Sequence, residues 1–561
     1  LDHEVRGNEV IVRTTLVRAG GEDTLEWHFR PEEREIAGDT YAGFAYRYRF
    51  ASDTEQVLQI ADRATWELHG DPIGVTVVTQ NAYAVQNQFT ITPESTYAGD
   101  PGTRFTGADG LDYQYADSGG SILSFYDEPI PYVDTRRAGG TNYIRYRDTT
   151  PFVGGTEATT AWKCVLVGGH GDHDAWTQAR DYVYNLHAGF WGIEQHTPMP
   201  IMNVWGHWKE RASHDDLMAY YTDEVVPKVA DLGFRVFAVH SIWGRGGCSL
   251  DYIRPGEEWG GTEGGKALCD AAAAEGMIVQ AWAPTAHLWQ HSPLFEQNPD
   301  WHLEGAGGKP PTTYCWPDIL GTRFRTGYMD YAVNAWKTIR EETGLGALWL
   351  DSYRNFTHGI NLASREVKLR QAENLFRFHA ALSQLGYTIY CESTGTFGIP
   401  AAGFPGANID SPNPHGPDPM TRYGTSSYLG HRGNEAQDQA INDVLTEGDY
   451  YYRMLANKAP AWLSWPVFSQ TPERHAKIAQ NNRDYVAVVE HMKWRTTLPD
   501  DRGVIWDDPE ADAIVLFAFE DGPCEVDHRV TDVTTGEAVH LRDGGFRAEA
   551  MHTYLLERED G

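Results

Sequence analysis

The chain has 561 residues, of which 41% are apolar and 12% aromatic, so it can bury one large core or several smaller ones. This composition excludes a disordered chain, and no apolar run reaches the roughly 20 residues that a helix needs to span a bilayer. The net charge is −33, and because so acidic a surface repels phosphate backbones, we expect no nucleic-acid partner.

The six cysteines are scattered and none forms a Cys-x-x-Cys pair, so we expect neither a disulfide framework nor a zinc site. No motif specifies another metal or a cofactor, so none is expected, although so acidic a chain is compatible with a structural Ca²⁺. The chain starts at Leu1 without a basic-then-apolar leader. A cleaved signal peptide would leave the same start, so a secreted and a cytoplasmic location are both compatible with the sequence.

The first 190 or so residues are patterned as β-strands. Large side chains at Phe44, Tyr46, Tyr48 and Phe50 alternate with small or basic ones, which is the two-residue period of a half-buried strand. Similar short segments are Val10–Val12, Val75–Val78, Phe89–Ile91 and Tyr143–Tyr146. Glycine, aspartate and proline clusters separate them, so we predict a large β-sandwich.

Residues 174–187 have a helical pattern, and the run His170-Gly-Asp-His-Asp174 precedes it. This run contains possible metal ligands. The simpler interpretation is the start of a helix, with Asp172 or Asp174 as its cap.

From Pro198 onward, short apolar runs alternate with amphipathic segments. Predicted strands are Ile201–Trp205, Arg235–His240, Ile278–Trp282, Ala347–Asp351, Thr388–Glu392, Ala407–Asp410 and Ala461–Trp465. Helix signals lie between them: Ser213 with Asp216 at capping-box spacing, terminating glycines at 233 and 276, and a Thr471-Pro472 start. The alternation predicts a (β/α)₈ barrel with one strand unassigned.

The last 60 or so residues return to strand patterns, at Val504–Trp506, Ile514–Phe519 and Tyr554–Leu556. The predicted architecture is therefore multidomain, combining α/β and all-β units. We expect an N-terminal β-sandwich at residues 1–190, a catalytic barrel at 191–497 and a small C-terminal β domain at 498–561.

Active sites of such barrels lie at the carboxyl ends of the strands. Three carboxylates occupy these positions at the ends of apolar runs: Asp351, Glu392 and Asp410. Burying an unpaired charge is costly, so each needs a role. The alternative for each is a helix cap or a structural ion pair.

The same strand ends are rich in aromatic residues. Candidate sugar contacts are Trp205, Trp243, Trp282, Trp349, Tyr353 and His240, with Trp208 nearby. Sugars have flat C–H faces edged by hydroxyl groups, which aromatic walls and a few polar groups suit. Core packing is the alternative for any single tryptophan.

Paired carboxylates in an aromatic cleft favour glycoside hydrolysis, in which one carboxylate attacks the anomeric carbon and the other protonates the leaving oxygen. Competing signatures are missing from the sequence: Gly-x-Ser-x-Gly, His-Glu-x-x-His, a phosphate-binding loop and Gly-x-Gly-x-x-Gly.

Several landmarks resemble, in order, those of the retaining α-glycosidases that include α-galactosidases (melibiases) and α-N-acetylgalactosaminidases. They are Pro200–Trp208, Leu232–Phe237 with Trp243–Arg245, Trp282-Ala-Pro284, Asn298–Trp301, Trp349-Leu-Asp351 and Cys391-Glu392. The family combines a β-sandwich, a barrel and a C-terminal β domain, which agrees with the predicted layout.

The resemblance implies that Asp351 is the nucleophile and that an acid/base lies on the sixth strand, where Asp410 is the candidate. Asn408 could instead occupy that position, which would leave Glu392 as the proton donor. A fifth-strand Glu has that role in endo-α-N-acetylgalactosaminidases, a more distant resemblance.

Two departures from the α-galactosidase pattern concern the sugar. His240 and Ser241 stand where that family has adjacent acids, and Trp349 stands where it has a lysine. Galactose is therefore a default expectation. The expected partner is a carbohydrate, and an oligomer is possible. The alternatives are a transglycosylase and a carbohydrate-binding protein without catalysis.

Overall fold

The computed structural model describes most of the chain. The described residues are 2–54, 58–67, 75–79, 87–91, 104–106, 112–116, 120–128, 134–140, 143–152, 156–169, 173–192, 197–204, 214–239, 255–256, 260–284, 287–289, 292–301, 319–321, 327–351, 377–391, 401–402, 426–427, 439, 442–443, 445–458, 460, 462–542 and 544–558.

The N-terminal region is antiparallel β structure, as predicted. Its strands are β1 (Asp2–Arg6), β2 (Glu9–Arg18), β3 (Gly21–Ile36), β4 (Asp39–Ser52), β5 (Leu58–Glu67), β6 (Val75–Thr79), β7 (Asn87–Ile91), β8 (Arg104–Thr106), β9 (Asp112–Ala116), β10 (Ser121–Tyr126), β11 (Asp134–Gly140), β12 (Tyr143–Phe152), β13 (Glu157–Thr159) and β14 (Lys163–Gly168). A ten-stranded sheet runs β1-β2-β3-β4-β14-β10-β9-β6-β7, with β13 beside β4, and a four-stranded sheet runs β5-β12-β11-β8. Packing of the two sheets into a sandwich stays a prediction.

Two faces of the larger sheet have different partners. Helix α1 (His173–Phe190) packs Ala175, Ala179 and Val183 against one face, where Tyr41 and Phe125 are buried. The opposite face is aromatic, with Trp27, Phe29, Phe44, Tyr46 and Tyr48 in successive ring contacts 5.3–6.5 Å apart. The alternation predicted at residues 44–50 is therefore confirmed.

The central region contains an eight-stranded parallel sheet. Its strands are β15 (Ile201–Asn203), β16 (Val236–Ala238), β17 (Ile278–Pro284), β20 (Ala347–Asp351), β21 (Thr388–Cys391), β22 (Ala401–Ala402), β23 (Ser426–Ser427) and β24 (Trp462–Ser464), and a separate hairpin joins β18 (His287–Trp289) to β19 (Ile319–Gly321). The order is β23-β22-β21-β20-β17-β16-β15-β24, so the last strand pairs with the first.

The predicted strands that fall within the described residues are confirmed. The unassigned strand corresponds to a two-residue segment, β23, and a second short strand, β22, precedes the predicted strand Ala407–Asp410, which lies outside the described residues. Among the described residues β23 and β24 are not paired with each other, so the closed barrel stays a prediction.

Helices connect these strands. They are α2 (His214–Tyr220), α3 (Val226–Asp231), α4 (Gly261–Ala274), α5 (Pro293–Gln297), α6 (Tyr328–Thr343), α7 (Tyr450–Ala456) and α8 (Pro472–Val488), with a π-helical turn at Tyr221–Val225 between α2 and α3. Thr471 caps α8 as predicted, and Gly233 and Gly276 follow their helices at φ 76° and 71°. No helix in the described part of the chain combines the length and apolar character needed to cross a bilayer.

The C-terminal region is again β structure. Its strands are β25 (Trp494–Thr497), β26 (Gly503–Asp508), β27 (Ala513–Ala518), β28 (Gly522–Glu525), β29 (Arg529–Asp532), β30 (Glu537–Val539), β31 (Gly545–Ala548) and β32 (Thr553–Glu557). Six of them form one sheet, and β28 pairs with β31. The three described C-terminal strand predictions are confirmed.

A buried ion pair joins the three regions. Arg495 of β25 has a side chain only 1% exposed, and its guanidinium bonds the Asp174 carboxylate of α1. The same guanidinium donates to Asn457, just after α7, at 3.0 Å, and Asp174 accepts the Thr497 backbone N–H at 2.7 Å. Asp174 lies in the first turn of α1, so of the two predicted caps Asp174 is excluded, while Asp172 lies outside the described residues. Its carboxylate instead anchors the C-terminal sheet.

A second buried carboxylate lies in the N-terminal sheet. Asp127 accepts the Trp162 backbone N–H at 3.1 Å, and the Arg30 guanidinium is 3.8 Å away. Burial, followed by repulsion from Glu128, raises the pKa of Asp127 to about 6. Its ionised form is therefore disfavoured in the folded protein.

The Arg495 site gives a stability prediction. Arg495→Met leaves Asp174 buried without its counter-ion, so we expect the free energy of unfolding to fall by about 3–5 kcal/mol in urea denaturation. The double variant Asp174→Asn with Arg495→Met should recover part of this loss. The control Arg529→Met breaks the exposed pair with Glu557 and should cost less than about 1 kcal/mol. Equal losses at the two sites would contradict the proposed role of the buried pair.

Asp127 gives a pH prediction. Its folded pKa of about 6 lies above the unfolded value near 3.9, so the native state binds more protons between these values. Ionised Asp127 therefore destabilises the folded protein fully above about pH 6. This destabilisation vanishes below about pH 4, where the carboxyl group is protonated in both the folded and the unfolded state. We expect Asp127→Asn to raise the Tm at pH 7–8, with a gain that shrinks on acidification. A gain independent of pH would contradict this.

Candidate active site at the carboxyl end of the parallel sheet

Successive residues of the parallel strands belong to two different cores. One set packs in the largest core with the helices: Met202, Phe237, Leu348, Leu350, Ile389 and Leu463. The alternate set forms a separate buried cluster: Ile201, Val236, Ala238, Ala347, Trp349, Tyr390 and Trp462. The sheet therefore has a helix-facing side and a lining side, as strands covered on both faces require.

Aromatic rings dominate the lining side. Trp462 meets the ring of Trp349 at 6.1 Å and that of Tyr390 at 6.2 Å, both nearly edge to face. All three are at most 4% exposed, and Trp282 is partly buried against the same cluster. Burial raises the pKa of Tyr390 well above its ordinary value, so its hydroxyl stays neutral. The result is a rigid, uncharged aromatic layer.

Polar side chains lie two residues along the strands from members of this layer, on the same side of the sheet. Asn203, Gln280 and Ser464 are all buried, and Asn203 lies opposite Ser464 in the strand register. Asn442 holds the end of β24 by donating to the Ser464 carbonyl at 2.9 Å and accepting the Ser464 N–H at 3.0 Å. The side-chain amide of Asn442 thus fixes the backbone at the end of β24.

Asp351 is the final residue of β20. Its backbone lies opposite Pro284 of β17, and two residues earlier Trp349 lies opposite both Trp282 and Tyr390. The structure describes the backbone of Asp351 and not its side chain. The prediction that Asp351 ends a strand at the carboxyl edge of the parallel sheet is confirmed.

The other predicted site residues divide into two groups. Trp282 and Trp349 belong to the lining cluster, where Trp349 packs against Trp462. Seven residues lie outside the described part of the chain: Trp205, Trp208, His240, Trp243, Tyr353, Glu392 and Asp410. Their roles stay predictions.

Sequence reasoning missed two lining residues, Tyr390 and Trp462. Both lie in predicted strands, and the two-residue period of each strand assigns them to its inner face. Applying that period to every strand, rather than reading only the strand ends, would have found them.

The described residues contain no group of three or more histidine, cysteine or carboxylate side chains placed to hold a metal ion. Of the run at 170–174, Asp174 is bonded to Arg495 and Thr497, while His170 and Asp172 lie outside the described residues. This bonding supports a structural role for Asp174.

No protein-family model matches the sequence, and no curated protein matches it significantly. Comparison with solved structures is informative. The α-galactosidase AgaB of glycoside hydrolase family 36, from Geobacillus stearothermophilus, aligns with a TM-score of 0.58 and 11% identity, covering 99% of this chain and 86% of that one. AgaA from the same organism gives 0.58 and 10%, covering 99% and 87%.

The α-galactosidase from Lactobacillus brevis gives a TM-score of 0.56 and 11% identity, covering 99% of this chain and 84% of the other. Variants of AgaA have been solved with raffinose and with stachyose. At these identities the similarity establishes the fold. The resemblance to α-galactosidases found in the sequence is thus confirmed at the level of the fold.

The aromatic layer gives a stability prediction. Trp462→Ala removes a fully buried ring that contacts Trp349 and Tyr390, so we expect the free energy of unfolding to fall by about 3–5 kcal/mol and the near-ultraviolet circular dichroism to weaken. Trp27→Ala is the matched control, because Trp27 is 42% exposed and should cost less than half as much. A larger loss in the control would contradict the assignment of Trp462 to the core.

Proposed function

We propose that the protein is a retaining α-glycosidase that hydrolyses terminal α-linked sugars, with α-galactosides as the first substrates to test. One observation carries the proposal: Asp351 ends β20 at the carboxyl edge of a parallel sheet lined by aromatic rings, in a chain with the fold of α-galactosidases. Carboxyl ends of parallel strands are where such sheets hold their active sites.

Asp351 is the proposed nucleophile. The two-residue period assigns position 351 to the same side of β20 as Ala347 and Trp349, which belong to the lining cluster. Held ionised there, the carboxylate would attack the anomeric carbon and form a glycosyl-enzyme ester, which water then hydrolyses with net retention.

The strand register supports Glu392 as the acid/base. The pairing of β20 with β21 runs from Ala347 opposite Thr388 to Leu350 opposite Cys391. Glu392 follows Cys391 directly in the sequence, as Asp351 follows Leu350, and we propose that the two carboxylates face each other across the site. Retaining glycosidases hold their two carboxyl groups about 5–5.5 Å apart. Asp410 is the alternative, since it follows β22 by a longer connection.

The described lining forms a buried, uncharged aromatic layer behind the strand ends where a sugar would bind. Trp349 lies inside this uncharged layer at a position where the sequence resemblance implies a lysine. Oligosaccharides such as raffinose and stachyose, which bind the AgaA variants, are reasonable substrates to include.

A panel of aryl α-glycosides tests the proposal. We expect phenol release from at least one of them, and we expect Asp351→Asn to lower kcat at least about 10³-fold because the nucleophile is lost. Asp270→Asn is the matched control, since this carboxylate is 63% exposed on α4 and should leave kcat unchanged. Sugar binding without turnover on any substrate would contradict hydrolysis and favour a binding protein.

Product analysis then defines the mechanism. The first sugar released should be the α-anomer by NMR, and initial release of the β-anomer would refute double displacement. Azide should restore turnover to Glu392→Ala if Glu392 is the acid/base, because this anion attacks the glycosyl-enzyme without a general base, releasing the Asp351 carboxylate and an α-glycosyl azide. Rescue of Asp410→Ala instead would transfer the role to Asp410. Excess sugar acceptor would reveal transglycosylation as a larger coupled product.

A further inference from the structure

Strand β1 forms one edge of the ten-stranded sheet. Among the described strands it pairs with β2 alone. A two-residue turn at Gly7 and Asn8 joins them, with Gly7 at φ 61° and Arg6 opposite Glu9. Because the residues that flank such a turn bond each other, the backbone groups of His3 and Val5 face away from β2. This outer edge can accept another strand.

Exposed apolar side chains adjoin this edge on one face of the sheet. Val5 is 67% exposed and lies opposite Val10, which is 39% exposed and lies opposite Phe29. Phe29 in turn lies opposite Tyr46, so an apolar row runs inward from the edge. Trp27, 42% exposed, lies beside this row on the same face.

Charge on β1 alternates in a self-complementary order. Glu4 and Arg6 flank Val5 and point to the opposite face, with side chains 40% and 62% exposed, and within one chain Arg6 donates to the Glu4 carboxylate at 2.6 and 2.9 Å. If a second β1 lies antiparallel across a two-fold axis at Val5, Glu4 of one copy meets Arg6 of the other, twice. Val5 then meets its own copy on the apolar face, and the outward backbone groups of the two Val5 residues face each other.

We propose that β1 is a homodimer interface in which two copies of this chain join their sheets edge to edge around Val5. The pairing would extend the apolar row from one copy into the other and place Glu4 and Arg6 in two intermolecular ion pairs. Val5 and Val10 supply the exposed apolar surface at this edge. The charge complementarity specifies a second copy.

Sedimentation velocity over a concentration series tests the interface. We expect the unmodified protein to dimerise reversibly. Glu4→Arg places Arg opposite Arg, and Arg6→Glu places Glu opposite Glu, so each variant alone should dissociate about tenfold or more readily. Mixing the two variants in equal amounts restores both opposite-charge pairs, so the mixed dimer should form with near-original affinity. The double variant with both changes should also dimerise.

Lys266→Glu is the control for Arg6→Glu, because it makes the same charge change on an exposed side chain of α4 and should leave dimerisation unchanged. Circular dichroism and Tm verify that every variant is folded. A monomer at all concentrations in the unmodified protein would overturn the proposal. So would a dimer that neither single change weakens, or one that mixing does not restore.

Discussion

The alternation of side chains along the parallel strands is the constraint on which the site depends. Each strand is covered on both faces, so consecutive residues must serve either the helix layer or the lining. In β20, Leu348 and Leu350 join the helix core while Ala347 and Trp349 join the lining cluster. A shift of one residue would exchange these two sets, so the register that buries Leu350 also fixes the position of Asp351 at the strand end.

The buried ion pair of Arg495 and Asp174 links the N-terminal region, the central region and the C-terminal sheet. A charge with 1% exposure is stable only where its partners are in place, since its desolvation cost is large. Its partners come from α1 of the N-terminal region and from the segment after α7. The contacts of this pair therefore tie the C-terminal sheet both to α1 and to the segment after α7.

Local patterns predicted much of the fold, and contacts between distant residues explain what they missed. Ala347–Asp351 was predictable because an apolar run ends at an acidic residue. The strands at Ala401–Ala402 and Ser426–Ser427 were not, because two residues have no measurable period. Asp174 was interpreted as a cap because its partner Arg495 lies 321 residues away in the sequence. Within the site, strand ends identified Asp351, whereas Tyr390 and Trp462 required the period of each whole strand.

The net charge of this protein limits its choice of binding partners less than the positions of a few side chains do. A charge of −33 repels phosphate backbones, but it does not oppose a neutral sugar on an uncharged lining. Two copies of so acidic a chain also repel each other at long range, yet salt screens that repulsion beyond about 8–10 Å. Ion pairs between Glu4 of one copy and Arg6 of the other would act within that distance. Whether the facing charges attract or repel depends on the order of the two residues along β1. Both proposals depend on local order: the buried rings of Trp349 and Tyr390 leave the layer behind the proposed sugar site uncharged, and β1 alternates charge where a second β1 would pair.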